Sequence, residues 1–271
     1  MGEKAKRISV FVGSPRNQLT RQVVQEFVED LKTFGDVECE YVFLKDVNLS
    51  NCRGCGSCFL KGEERCPLHD DRDVLIEKLE NSGGVVFATP NYSLNVSGIM
   101  KTFLDRLAFV FHRPRFFGKA FMGVVVQGIY GGKDVVNYLE KVGGAWGFTV
   151  GRGFYVTAFQ PLSPSEQKKI SEEVGKAAKR FHRALTRPSL PVPSLLRLML
   201  FRLSRSSIQA MLDETYRDYR YFKEKGWFES SYYYRTRVGP VRGLAGLFGD
   251  LLGKRIGRKR LAEATAVGVP R

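Results

Sequence analysis

Four of the five cysteines in this 271-residue chain fall within one short stretch, Cys52-x2-Cys55-x2-Cys58-x7-Cys66-Pro67. Three thiolates two residues apart can wrap a single cuboidal cluster, with a fourth ligand arriving from further along. Structural zinc usually draws on two separated Cys pairs, so this run suits a [4Fe–4S] cluster better. Reduced, unliganded thiols are the alternative. An odd cysteine total without a secretion signal argues against a disulfide framework. Cys39, inside the strand predicted over 38–44, reads as a small buried hydrophobe.

Two further stretches carry polar groups at strand ends. Gly13-Ser-Pro-Arg16-Asn-Gln-Leu-Thr20 offers backbone N–H groups at a helix start, two hydroxyls and a guanidinium, the makings of a phosphate cradle. The chain has no G-x-x-x-x-G-K-[ST] and no G-x-G-x-x-G after its first strand, so the phosphate would be a mononucleotide's. The second stretch is Thr89-Pro-Asn-Tyr-Ser-Leu-Asn-Val-Ser-Gly98. His69, His112 and His182 show neither metal spacing nor a nucleophile partner and read as surface or loop residues. No Ser-His-Asp or paired-carboxylate signature is present, so no catalytic side chain is assigned.

The elements that must position these groups alternate between two periods. Strands are predicted over 7–13, 38–44, 84–90, 120–128 and 149–159. Helices are predicted over 20–34, 70–81, from the Ser97 cap toward His112, 133–142, and 165 to about 185, with Asp70 and Asp71 capping the second. This alternation implies a parallel sheet covered on both faces, of the doubly wound α/β class with order 2-1-3-4-5. In such sheets ligands bind outside the strand carboxyl ends, here marked by Gly13, Pro90 and Gly128.

The pattern breaks at Arg187-Pro-Ser-Leu-Pro-Val-Pro193, a stiff linker. The reading is therefore a first domain over 1–186 that includes a Cys-rich loop over 50–67, a linker over 187–193 and a basic helical extension over 194–271. The chain carries 43 Lys+Arg against 28 Asp+Glu, net +15, and residues 165–271 hold +13 of it. Leu244, Leu247, Phe248, Leu251 and Leu252 recur at helical spacing ahead of Lys254, Arg255, Arg258, Lys259 and Arg260. A glycine stripe at 243, 246, 249, 253 and 257 either brings that helix very close to a neighbour or weakens it. Such a segment suits an anionic membrane surface or an anionic partner, or else packs on the first domain or across a dimer. Nucleic acid fits poorly, because no nucleic-acid-binding fold is legible. No apolar run approaches the roughly 20 residues that span a bilayer, and no secretion signal precedes the first strand. The expectation is a cytoplasmic protein, peripheral to the membrane if the extension binds it.

Taken together, Gly13-Ser-Pro-Arg16, Thr89-Pro90, Tyr92, Ser97-Gly98, Lys101, Phe103, Asp105-Arg106 and the four-Cys run before Asp70-Asp71 resemble the NAD(P)H-dependent FMN reductases and iron–sulfur flavoproteins of the flavodoxin-like superfamily. The resemblance covers roughly residues 7 to 185. It implies an FMN oxidoreductase fed by NAD(P)H or a redox protein, often a homo-oligomer. It places Ser14, Arg16 and Thr20 at the FMN phosphate, and Pro90, Asn91, Tyr92 and Val96 against the isoalloxazine. Gln127, Gly128, Tyr130, Gly131 and Gly132 would border the ring or its ribityl chain. The metal ligands implied are Cys52, Cys55, Cys58 and Cys66, although similar Cys-rich loops occur in relatives without a cluster. The first loop is about one residue shorter than the family's and lacks its interior Gly. A passive flavodoxin-like electron carrier is the other reading, against which the basic charge weighs.

Overall fold

The computed structural model describes residues 5–16 and 18–266. The chain divides into two compact units, Met1–Arg53 with Leu68–Ser189, and Gly54–Pro67 with Leu190–Arg271. The second unit therefore takes in most of the Cys-rich loop, which the sequence reading had placed with the first.

In the first unit, β1 (Lys6–Val12), β2 (Val37–Phe43), β3 (Gly84–Pro90) and β4 (Ala120–Gln127) are parallel strands joined by crossover connections. The strand order is 2-1-3-4-5, all parallel. This is the flavodoxin-like order expected. Every residue of β3 and β4 is buried, as a sheet covered on both faces requires. On one face Ile8, Val10, Val12, Val86, Met122 and Val124 pack with Val24, Phe27, Val174 and Phe181. On the other, Phe11, Phe87, Phe103, Phe121 and Trp146 form a chain of ring contacts with centroids 5.0–6.2 Å apart.

The strand expected over 149–159 is interrupted. Its place at the sheet edge is shared by β5 (Thr149–Val150) and β6 (Phe154–Thr157), which pair with successive segments of β4. Between them the Gly153 N–H leaves the ladder and donates to Glu140 Oε1 at 2.7 Å. Gly153 sits so close to the Gly123 carbonyl that a Cβ would not fit. A bulge is the natural result.

The helices of this unit are α1 (Leu19–Lys32), α3 (Arg72–Glu80), α4 (Gly98–Arg106), α5 (Gly132–Ala145) and α6 (Pro164–Leu185); α2 (Ser57–Leu60) belongs to the second unit. The helix expected to run toward His112 stops at Arg106 and tightens into a 3₁₀ turn over Ala108–Phe111, which buries Phe109 and Val110. The start of α6 is set by a capping box between Ser163 and Glu166, with Pro at the first turn.

The second unit contains α2, α7 (Leu195–Met211), α8 (Arg217–Glu224) and α9 (Pro240–Ala266). Phe201, Trp227, Tyr232 and Tyr233 make its aromatic centre. Arg220 donates to the Lys61 carbonyl at 3.1 Å, tying α8 to the Cys-rich loop. No described helix is long and apolar enough to cross a membrane.

Candidate functional site: three loops at the strand carboxyl ends

The loop after β1 is short and turned inward. Ser14 is buried, and its hydroxyl donates to the Arg16 carbonyl at 2.9 Å while the Arg16 N–H sits 3.3 Å from the same Oγ, a side-chain turn. Thr20 is buried at the first turn of α1, whereas the Arg16 side chain is exposed. Asn17 lies outside the described residues. Unlike α4, α6 and α7, each opened by a serine that accepts a backbone N–H, α1 has no side-chain cap among the described residues. Its first N–H groups thus lack the acceptor that those three helices have, which suits an anion.

A clamp joins this loop to the next. Ser97 Oγ donates to the Gly13 carbonyl and accepts the Met100 N–H at 3.2 Å, while the Ser97 N–H donates to Thr89 Oγ1 at 3.0 Å. The same serine therefore caps α4 and holds the first loop. Sequence reading found the cap and missed the clamp, because a contact across 84 residues leaves no local signal.

The loop after β3 is a tight hairpin. Tyr92 and Asn95 exchange backbone hydrogen bonds of 2.9 and 3.0 Å, and Ser93 and Leu94 between them have φ of 50° and 61°. Consecutive non-glycine residues in the left-handed region are strained and gather at functional sites. Pro90 ends β3 opposite Val126, Val96 is buried, and Tyr92 is partly exposed.

Asn91 links this loop to the third. Its N–H donates to the Val126 carbonyl at 2.8 Å and its Nδ2 to the Tyr130 carbonyl at 2.7 Å. Its Oδ1 is buried and has no hydrogen-bond partner among the described residues. Gln127 organises the third loop: its Nε2 donates to Thr157 Oγ1 at 2.7 Å and its Oε1 accepts the Gly132 N–H at 2.5 Å. Gly131, at φ 91°, approaches Leu94 and Asn91 so closely that a Cβ would lie 2.6 Å from Leu94 Cδ2. Around Gly128 the space is open. Leu94, Ile129, Tyr130 and Phe159 are left as exposed apolar groups on these and the neighbouring segments. Ser14, Thr20, Pro90, Asn91, Tyr92, Val96, Gln127, Gly128, Tyr130, Gly131 and Gly132 thus stand on three loops tied together at one end of the sheet.

Asp71 stands at the start of α3 without a side-chain cap bond, whereas Asp70 Oδ1 accepts the N–H of Arg72, the first residue of that helix, at 3.3 Å. Both carboxylates also pin the entry to the Cys-rich loop. Asp71 Oδ2 accepts the Asn48 N–H at 2.9 Å, and Asp70 Oδ2 accepts the Ser50 N–H at 3.0 Å. The other Asp70 oxygen meets the Arg106 guanidinium at 2.7 Å, with both side chains almost wholly buried. Burial alone would raise the Asp70 pKa, but the guanidinium and the backbone N–H groups of Ser50 and Arg72 outweigh it and hold the carboxyl below its usual range.

Within the loop, Cys52 and Cys55 are exposed and Cys58 and Cys66 half-buried. Four thiols in this spacing have the donor chemistry of an iron–sulfur cluster. As placed here, no three His, Cys, Asp or Glu side chains among the described residues are arranged to hold a metal ion. Cys39 lies half-buried on β2, its thiol pushed up to about 11 by burial.

Comparison with known proteins bears on this arrangement. Residues 6–160 match the family model for NADPH-dependent FMN reductases. An iron–sulfur flavoprotein of Archaeoglobus fulgidus is 33% identical over 221 residues, covering 80% of this chain and 97% of that protein. Another, from Clostridioides difficile, is 28% identical over 177 residues, 64% of this chain and 77% of the relative. Among solved structures, the NAD(P)H:quinone oxidoreductase of Methanothermobacter marburgensis superposes with a TM-score of 0.53 at 14% identity, covering 65% of this chain and 96% of the other. That last likeness speaks for the fold alone.

Proposed function

The chain belongs to the NADPH-dependent FMN reductase family, and we propose that its three strand-end loops hold FMN for an oxidoreductase that accepts hydride from NAD(P)H. The observation that carries this reading is the buried, unpartnered Oδ1 of Asn91 at the junction of the second and third loops. A buried acceptor without a donor is costly unless a ligand supplies one. The uncapped start of α1 beside Ser14 and Thr20 supports a phosphate at the first loop, with Arg16 free to close over it. Pro90, Asn91, Tyr92 and Val96 would face the isoalloxazine, and Gln127, Gly128, Tyr130, Gly131 and Gly132 its edge and ribityl chain.

When bound, FMN supplies the two-electron chemistry with NAD(P)H, and a [4Fe–4S] cluster would supply single-electron exchange with an acceptor. The chain's own work is positioning. Ser97 and Asn91 hold the loops in register, the Tyr92–Asn95 hairpin fixes the wall, and Gln127 fixes Gly132. No side chain is needed to move a proton. Cys52, Cys55, Cys58 and Cys66 are the ligands we assign to the cluster, supported by their spacing and by the names of the curated relatives. Such thiols suit a reducing compartment, hence the cytoplasm. The exposed Ile129, Tyr130 and Phe159 are the apolar surface that a second copy would cover in a homo-oligomer.

The test is an absorption spectrum of the anaerobically purified full chain before and after NADPH. Flavin bands that bleach without a partner reductase support the enzyme and exclude a passive carrier. Iron and acid-labile sulfide in a ratio near one, lost in Cys55→Ser, support the cluster; their absence reassigns the four cysteines as thiols. A colourless protein that takes up no FMN overturns the reading.

A further inference from the structure

The family relationship leaves the C-terminal helices without a role, and their two faces differ sharply. Along α9 the glycine stripe turns inward. A Cβ on Gly249 would sit 2.7 Å from the Met199 carbonyl, one on Gly257 2.8 Å from the Ser207 carbonyl, and Gly253 lies hard against the Leu203 carbonyl. The pairings 249 with 199, 253 with 203 and 257 with 207 show that α7 and α9 run parallel, backbone on backbone. Asp250, on the same inner face, locks them: its carboxylate takes Arg202 Nε at 2.7 Å, Arg205 Nη2 at 2.6 Å and Ser206 Oγ at 2.7 Å.

Because a helix turns about 100° per residue, this inner stripe fixes what faces outward. Opposite the glycines stand Val241, Leu244, Leu247, Phe248 and Leu251, between 54% and 69% exposed. The same register places the exposed Leu195, Leu196 and Leu200 of α7 level with this apolar half of α9. Two turns on, the same outward face becomes Lys254, Arg255, Arg258 and Lys259, all exposed. The acidic residues of α9 are Asp250, consumed inside, and Glu263, which lies 3.8 Å from Lys259 at the far end.

We propose that this face of the α7–α9 pair seats on an anionic membrane surface, with the leucine half of α9 in the interface and the basic turns on lipid headgroups. Charge complementarity selects the occupant. A second copy would press the basic turns against a face whose one acid, Glu263, already pairs with Lys259, leaving Lys254, Arg255 and Arg258 desolvated and unpaired. Nucleic acid would answer the cations but leave a run of exposed leucines and a phenylalanine without a partner. A bilayer surface with anionic lipids answers both halves of the face at once.

The experiment is co-sedimentation of the full chain with phosphatidylcholine vesicles and with vesicles that also contain phosphatidylglycerol. Binding is expected only to the mixed vesicles, and to weaken as salt rises. The triple variant K254Q/R255Q/R258Q is expected to bind roughly a hundredfold more weakly, at about fivefold per basic residue. L247Q/L251Q is expected to lose tenfold or more. All five side chains are exposed, so circular dichroism should be unchanged in both variants. Three results would overturn the proposal: no binding to the mixed vesicles, binding indifferent to lipid charge, or a concentration-dependent dimer abolished by L247Q/L251Q in a chain that ignores vesicles. Salt-sensitive binding to duplex DNA without vesicle binding would likewise replace the membrane with nucleic acid.

Discussion

Within the three strand-end loops, one amide oxygen, Asn91 Oδ1, is buried without a hydrogen-bond partner among the described residues and so calls for a ligand. Asn91→Ala removes it along with the Nδ2 link to Tyr130, and FMN affinity should fall about tenfold, at roughly 1–1.5 kcal/mol for a hydrogen bond. A flavin fluorescence titration reads this directly, and unchanged affinity would remove Asn91 from the site. Two buried carboxylates set the acid limit of the fold. Burial pulls both upward, yet Asp70 is held low by Arg106 and two backbone N–H groups, and Asp250 by Ser206, Arg202 and Arg205. A carboxylate depressed in the folded state contributes stability that is complete above its unfolded value near 4 and is lost as pH falls through the lower folded one. Urea stability should therefore be level from about pH 7 to about pH 5 and drop steeply below about pH 4. Arg106→Met, which strands Asp70 in the interior, is expected to cost about 3–5 kcal/mol, with much of it recovered when Asp70→Asn is added.

At the scale of elements, α9 offers a paired comparison. Gly253→Ala must force α9 away from the Leu203 backbone and is expected to destabilise the second unit by about 1–3 kcal/mol. Gly243→Ala, with open space around it, should instead stabilise by about 0.5–1 kcal/mol through helix propensity. Thermal unfolding followed at 222 nm separates the two; shifts of equal sign would mean that the stripe is not a contact. The stripe was visible in sequence, but its sign was not, because the cost of glycine in a helix and the gain of a close approach depend on what lies opposite. The divided fifth strand shows the same limit. Its apolar period was legible, and the break at Gly153 came from a carbonyl one strand away.

For the whole molecule, the division into two units predicts a calorimetric profile in which added FMN raises one transition and leaves the other in place. A single transition that moves as a whole would contradict it. The strand order, the loops after β1, β3 and β4, and the basic helical extension all followed from the sequence. Period, punctuation and charge are local properties, and right-handed crossovers leave few ways to join alternating strands and helices. Contacts between residues distant in the chain emerged with the folded packing and not before it. Ser97 on the Gly13 carbonyl, Asp70 on Arg106 as well as on its own helix, and Gly253 against Leu203 each join segments that no spacing rule connects. Each is fixed by the packing of the assembled layers, where the partner's position depends on every element between the two.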